Sequence, residues 1–208
     1  MIYLAGNISG TAGRSALENP NIGQLLSPLG WRRPQCEIYA CDNDVFAHRE
    51  DPEWWRREGE TRWLKMLDKM ADLPPPLWLI LPDIVGNWAE TIERAHRYRH
   101  EVESRGLRVA LALQDGCNWK EVNDFAPFCV FVGGSTRWKW ENVPRVVAMF
   151  QNRVWVHVGR VNGEKRIRYV RKLGVDSADG TGLCRFFDEQ LPKVLRGLNC
   201  DSPQLEMF

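Results

Sequence analysis

Seven short apolar runs, at 2–5, 38–41, 77–81, 109–113, 128–132, 154–158 and 175–178, recur along the chain, and each leads into a carboxylate, an amide or a glycine. Most of the runs are apolar throughout rather than alternating, the pattern of strands covered on both faces. Helical stretches separate them, which makes the sheet parallel. Their polar ends are spread over nearly all the repeats. A closed barrel gathers strand tips onto one face, whereas an open doubly wound sheet concentrates them at one switch point. The pattern therefore predicts an α/β fold, a TIM-like (β/α) barrel. With about seven clear βα repeats, the barrel is expected to be reduced or irregular at its closure.

The intervening segments carry their own signals. Residues 52–71 read as a helix with Trp63, Met66, Leu67 and Met70 at i, i+3, i+4 and i+7. Pro74-Pro75-Pro76 stops it. Residues 87–105 form a charged amphipathic helix with Asn87 as N-cap and Gly106 beyond its end. Further helices are expected at 119–124, 141–151, 163–173 and 185–197. Residues 11–35 are punctuated by Gly, Pro and Ser, with a short helix expected at 18–26.

At 208 residues and 44% hydrophobic, the chain reads as one domain, a single barrel over 1–208 without a zinc-binding appendage. A net charge of +1 excludes a bulk electrostatic argument for a nucleic-acid partner, so any such partner must meet a local patch. The six Cys make no CxxC pair and no Cys/His cluster with metal-ligand spacing. Cys36, Cys41 and Cys129 lie in or beside apolar runs, which favours reduced core thiols and a cytoplasmic setting. Neither a signal peptide nor an apolar run near the roughly 20 residues of a membrane span is visible. No cofactor motif appears. Some of the ten Trp are expected to line a surface or a pocket.

Two carboxylates at strand ends, Asp42 and Asp179, suit a nucleophile and a general acid/base in glycosyl transfer. Asp176 is a rival nucleophile, better placed to support the loop. Asp83 can accept hydrogen bonds from a purine-like edge, Gln114 can both donate and accept, and Gly133-Gly134 can offer bare backbone N–H groups. The plainer readings are an Asx-turn at Asp42, a turn carboxylate at Asp179, a helix-entry residue at Asp83, a loop amide at Gln114 and a simple turn at the glycines.

Taken together, several stretches resemble the queuine/guanine transglycosylase superfamily. Gly174-Val175-Asp176-Ser177-Ala178-Asp179 is similar to its GVDMFD segment, whose last Asp is the covalent nucleophile. Cys41-Asp42-Asn43-Asp44-Val45-Phe46 is similar to TDSGGF, whose Asp is the general acid/base, and Ala5-Gly6-Asn7-Ile8-Ser9 to the GNTYH start. Pro82-Asp83, Gln114-Asp115-Gly116 and Gly133-Gly134 follow in the order of that family's base-reading Asp, its Gln-x-Gly and its Gly-Gly. The resemblance covers about residues 5–182. Where tRNA-acting members continue into an arginine-bearing loop and a zinc site, this chain has Gly180-Thr181-Gly182, and Cys184 and Cys200 cannot build that site. It thus looks more like the short, zinc-free, DNA-acting (DpdA-type) branch.

The resemblance implies a TIM-barrel enzyme that exchanges guanine in DNA, or alternatively in tRNA, for a 7-deazaguanine such as preQ0. The nucleotide is turned out of its stack, Asp179 attacks the sugar and Asp42 moves the proton. Asp83, Gln114, Gly133 and Gly134 read the base, with Asn7 and Gly159 completing the substrate-binding set. The loop Arg137-Trp138-Lys139-Trp140 and the basic helix with Lys165, Arg166 and Arg168 are the expected nucleic-acid contacts. A homodimer or helper subunit is a possible complement to that surface. Competing readings are an unrelated barrel enzyme gripping phosphate with Gly133-Gly134 and Gly159-Arg160, and a non-catalytic nucleic-acid-binding relative.

Overall fold

The structure, a computed structural model, describes residues 1–8 and 10–198. Eight parallel strands close into a barrel in sequence order: β1 (Ile2–Ala5), β2 (Ile22–Leu26), β3 (Tyr39–Cys41), β4 (Leu79–Ile80), β5 (Val109–Leu113), β6 (Cys129–Val132), β7 (Trp155–Val158) and β8 (Ser177–Gly180). The ring is sealed by β1 on β8, with Leu4 opposite Asp179.

The barrel is complete rather than reduced. The missing repeat is β2, where the sequence pointed to a short helix at 18–26. Gly23 and Gln24 disguise it. A Cβ at Gly23 would come within 2.6 Å of Ile38, so only glycine lets β2 run against that neighbour. Gln24 is polar because it serves a loop outside the barrel, its Oε1 accepting the Gln35 N–H at 2.6 Å.

Strand alternation divides the core in two. Leu4, Ala40, Trp78, Ile80, Ala110, Ala112 and Cys129 fill the barrel interior, where the small alanines accompany the fully buried Trp78. Tyr3, Leu111, Val130, Val156 and Ala178 face outward and pack under the helices. Those helices are α1 (Gly10–Ala16), α2 (Glu60–Lys69), α3 (Trp88–Glu103), α4 (Trp119–Phe125), α5 (Thr136–Phe150), α6 (Glu164–Leu173), α7 (Gly182–Arg185) and α8 (Phe187–Leu198).

Several boundaries move from the sequence reading. The stretch expected as one helix at 52–71 is a π-helical turn, Trp55–Gly59, running into α2, with Trp63, Met66, Leu67 and Met70 buried as anticipated. Asn87 caps α3 by accepting the Glu90 N–H at 3.2 Å. Helix α5 starts at Thr136, not near 141, because the Ser135 hydroxyl accepts the Trp138 N–H and caps it. Residues 137–140 are therefore helical, not a loop. The five described cysteines are free thiols, with Cys41 and Cys129 buried in strands; Cys200 lies outside the described residues. No helix among the described residues is long and apolar enough to cross a membrane.

Candidate active site

The strand ends open onto a cleft of about 620 Å³ lined by Asp42, Asp83, Gln114, Gly133, Gly134 and Asp179, among others. Strand geometry explains the convergence. Ala40, Ala112 and Ser177 point into the barrel, and two residues on, Asp42, Gln114 and Asp179 take the same inward direction at the top of the interior layer. Asp179 is the third residue of β8 and lies within the strand rather than beyond it.

Asp179 is held from one side only. Its Oδ1 accepts the Arg160 backbone N–H at 3.2 Å and meets His157 Nε2 at 3.0 Å. His157 lies opposite Ser177 in the β7–β8 register, so both side chains project into the barrel next to each other. Ser177 Oγ accepts the Trp155 indole N–H at 2.7 Å and sits 2.8 Å from His157 Nδ1. With an acceptor role already taken, the Ser177 hydroxyl donates to Nδ1, and the His157 proton resides on Nε2, facing Asp179. Burial pushes the His157 pKa below its ordinary value, against the pull of Asp179, so the imidazole is a neutral donor. Trp78 and Phe131 wall it in, with ring centroids 4.7 and 4.6 Å away. Asp179 Oδ2 makes no hydrogen bond among the described residues.

Asp42 has the opposite environment. Burial, then the nearby Asp44, push its pKa up to about 8, and Asp179 and Asp83 add to the rise. Its Oδ1 accepts the Asn43 N–H at 2.7 Å, which only partly opposes this. At neutral pH the carboxyl keeps its proton. Asp44 itself has a left-handed backbone, φ 62°, and is tied down by the Leu29 N–H at 2.5 Å.

Asp83 and Gln114 are already bonded to each other. Gln114 Nε2 donates to Asp83 Oδ2 at 2.5 Å, and Asn43 Nδ2 donates to Asp83 Oδ1 at 2.8 Å. Gln114 Oε1 accepts from Gly86 N–H at 2.8 Å and from Gly134 N–H at 3.0 Å. One amide thus ties together the ends of β4, β5 and β6. Burial raises the Asp83 pKa, against hydrogen bonds from Asn43 and Gln114 and the charge of Arg94.

The remaining sequence-predicted residues divide. Gly133 and Gly134 line the cleft, but their N–H groups are not bare: Gly133 donates to the Leu113 carbonyl at 3.1 Å and Gly134 to Gln114. Gly134 has φ +67°, and a Cβ there would meet Trp138 at 2.7 Å. Gly159 leaves room for the Phe131 ring, which a Cβ would strike at 2.7 Å. Asn7 lies outside the cleft lining and donates to the Gly30 carbonyl at 2.7 Å, bracing two loops. Lys139 is not a phosphate contact. It is buried, and Nζ donates to the Gly159 carbonyl at 2.6 Å. Arg137 is exposed and paired with Glu141 on the same helix, and Trp138 is half-buried against the core. Lys165 and Arg166 are exposed in the first turn of α6, while Arg168 pairs with Glu164. Among the described residues no Trp lines the cleft, and its aromatic residues are Phe46 and Phe131.

Sequence reading missed His157, Ser177 and Asn43, and it named Arg160 only as a phosphate-gripping strand tip, not as a backbone donor to Asp179. The alternation within 154–158 carried a usable signal for the first, since it puts Trp155, His157 and Gly159 on one face.

No family model matches the chain, and no curated protein matches it in sequence. Among solved structures it is similar to 3-hexulose-6-phosphate synthase from Salmonella typhimurium, at 8% identity and a TM-score of 0.57 over 95% of this chain and 98% of that one. A tryptophan synthase from M. tuberculosis matches at 15% identity and 0.53, over 93% and 88% of the two chains. A structure described as native KDPGal matches at 12% identity and 0.54, over 95% and 94%. At these identities the likeness is one of fold, and it agrees with the closed eight-stranded TIM-like barrel.

Proposed function

We propose that the chain is a base-exchange transglycosylase that replaces guanine in DNA with a 7-deazaguanine derivative through a covalent Asp179–sugar intermediate. One observation carries the reading: two carboxyl groups far apart in sequence line the same cleft in different surroundings. Asp179 is braced on one oxygen by N–H donors, and Asp42 holds a proton at neutral pH. A glycosyl exchange by double displacement needs that asymmetry.

In the first half-reaction Asp179 Oδ2 attacks C1′ of the deoxyguanosine sugar. The C1′–N9 bond breaks, its electron pair leaves with the base, and Asp42 gives its proton to the departing guanine. Asp42 is then a carboxylate. In the second half-reaction it takes the N9 proton of the incoming 7-deazaguanine. That nitrogen attacks C1′, and the Asp179–C1′ bond breaks to regenerate the free carboxylate. Two inversions give overall retention at the sugar.

Asp83, Gln114, Gly133 and Gly134 all line the cleft, and they are the residues assigned to the base. Their mutual hydrogen bonds fix a flat polar edge before the substrate arrives. The base meets the remaining lone pairs of Asp83, and the Gly134 N–H reaches a base carbonyl only if Gln114 releases it.

The test is mass spectrometry of the intact protein mixed with guanine-containing DNA or with tRNA. A trapped adduct of Asp179 with DNA, with release of labelled guanine, supports the proposal. An adduct with tRNA alone assigns the same chemistry to the other polynucleotide. Retained exchange in Asp179→Asn eliminates the nucleophile assignment.

A further inference from the structure

Three arginines from three separate segments line the same cleft: Arg49, just after the 3-10 turn Val45–His48, Arg160, just after β7, and Arg185, at the end of α7. None of them pairs with a cleft carboxylate among the described residues. Arg49 makes an ion pair only with its exposed neighbour Glu50, at 3.3 Å. Arg160 Nη2 donates to the Gly134 carbonyl.

Arg49 and Arg160 both lie over one aromatic ring, that of Phe46, with Cζ 4.7 and 4.1 Å from its centroid. Phe46 is exposed at the cleft. Two guanidinium charges gathered at one ring repel each other. Burial, and after it the Arg49 charge, push the Arg160 pKa below its ordinary value, against the pull of Asp179. Arg160 also holds φ +58°, a left-handed backbone that a residue with a side chain rarely adopts. A half-buried cation, strained and repelled by its neighbour, is a costly arrangement without a further counter-charge. An anion between the guanidinium groups relieves the repulsion. A guanidinium lying over a ring still directs its N–H groups in its own plane, the geometry that matches phosphate oxygens.

We infer that Arg49, Arg160 and Arg185 form a phosphate-binding subsite at the cleft, which takes the phosphate ester next to the sugar being processed. The choice of a nucleotide ligand rests on the transglycosylase reading; the presence of an anion site does not. The phosphate can come from a polynucleotide strand or from a free nucleoside monophosphate. These share the same chemistry and are separated by the probe.

The test titrates three probes into the full chain as wild type, Arg49→Gln and Arg185→Gln: a short guanine-containing DNA oligonucleotide, deoxyguanosine 5′-monophosphate and deoxyguanosine. Arg160 is left intact because its side chain also donates to the Gly134 carbonyl in the cleft wall, so replacing it would change more than charge. Each variant is expected to bind the oligonucleotide several-fold more weakly. The slope of log Kd against log salt should fall by about 1 for each arginine removed. Binding of the uncharged nucleoside and the melting temperature should not change, since both side chains are exposed. A loss confined to the oligonucleotide assigns the subsite to strand phosphates, and a matching loss for the monophosphate extends it to free nucleotides. Unchanged affinity and salt slope for both phosphate probes, or an equal loss for deoxyguanosine, would overturn the inference. If the slopes fall but no base exchange is found with either polynucleotide, the subsite stands and the transglycosylase reading fails.

Discussion

His157 Nε2 sits 3.0 Å from Asp179 Oδ1, at the end of a hydrogen-bond chain that begins with the Trp155 indole and passes through Ser177. The chain is a product of strand register. β7 and β8 place His157 beside Ser177, and the two-residue step of β8 puts Asp179 next above it. Each link fixes the next: a donor-only indole sets the serine rotor, the serine sets the tautomer, and the imidazole holds one carboxylate oxygen. The other oxygen makes no hydrogen bond among the described residues.

Replacing His157 with Gln should therefore affect orientation more than binding. The expected result is a fall of about 100-fold in kcat for base exchange with KM nearly unchanged, the scale expected of a misplaced reacting atom. Ser177→Ala, which frees the tautomer without emptying the site, should produce a smaller loss of the same kind. Steady-state kinetics of labelled guanine release check both, and a rise in KM at constant kcat would contradict the positioning role.

Asp42 gives the pH dependence. Its folded pKa of about 8 lies above the ordinary 3.8, so the folded chain keeps a proton that the unfolded chain gives up across that interval. Stability is then complete below about pH 4 and is lost as the pH rises toward 8. Asp42→Asn preserves the shape without the charge and should remove this dependence. The variant should match wild type near pH 4 and exceed it at pH 8.5 by an amount on the order of a few kcal/mol, at about 1.4 kcal/mol per pH unit. Urea unfolding at the two pH values measures it. Base exchange by wild type should decline above pH 8, and Asp42→Asn should be slower by about 10²–10⁴-fold at neutral pH.

The barrel was legible because strands buried on both faces are hard to disguise, and runs such as 109–113 and 128–132 fall within a residue of their final bounds. Strand β2 was not, since its identity depends on a close approach between Gly23 and Ile38 that no local pattern encodes. Asp42, Asp83, Gln114 and Asp179 could be found as polar groups ending apolar runs. Their partners could not. Asn43 reaches Asp83, and His157 reaches Asp179, only after the barrel closes. Lys139 was misread because a lysine among Arg137 and two tryptophans looks like a surface contact, while helix α5 in fact turns its side chain beneath the β7 loop.

Gln114 is a structural joint as well as a wall of the cleft. Gln114→Leu would leave the Gly134 N–H and Asp83 Oδ2 without their partner in a buried setting and free the Gly86 N–H. Unpaired buried groups cost about 1–3 kcal/mol each, so a loss of roughly 2–4 kcal/mol is expected by chemical denaturation. Gln114→Glu should be milder. It restores both acceptor contacts, and the raised Asp83 pKa lets the two carboxyl groups share a proton.

Lys139 separates the structural reading from the sequence one. Its ammonium is buried, and Nζ donates to the carbonyls of Gly159, at 2.6 Å, and Arg160, at 3.4 Å, the segment whose N–H braces Asp179. Burial, then the nearby Arg160, bring its pKa down to about 8 from the ordinary 10.5. Between those values the unfolded chain binds a proton that the folded one does not, so wild-type stability gains as the pH rises through the interval. Lys139→Met has no such group, and its stability relative to wild type should worsen from pH 8 to pH 10.5. With the β7 loop less firmly held, base exchange should slow about 10-fold. The salt slope for oligonucleotide binding should equal that of wild type, because a side chain enclosed by protein neutralises no phosphate. A slope lower by about 1 would return Lys139 to the nucleic-acid surface.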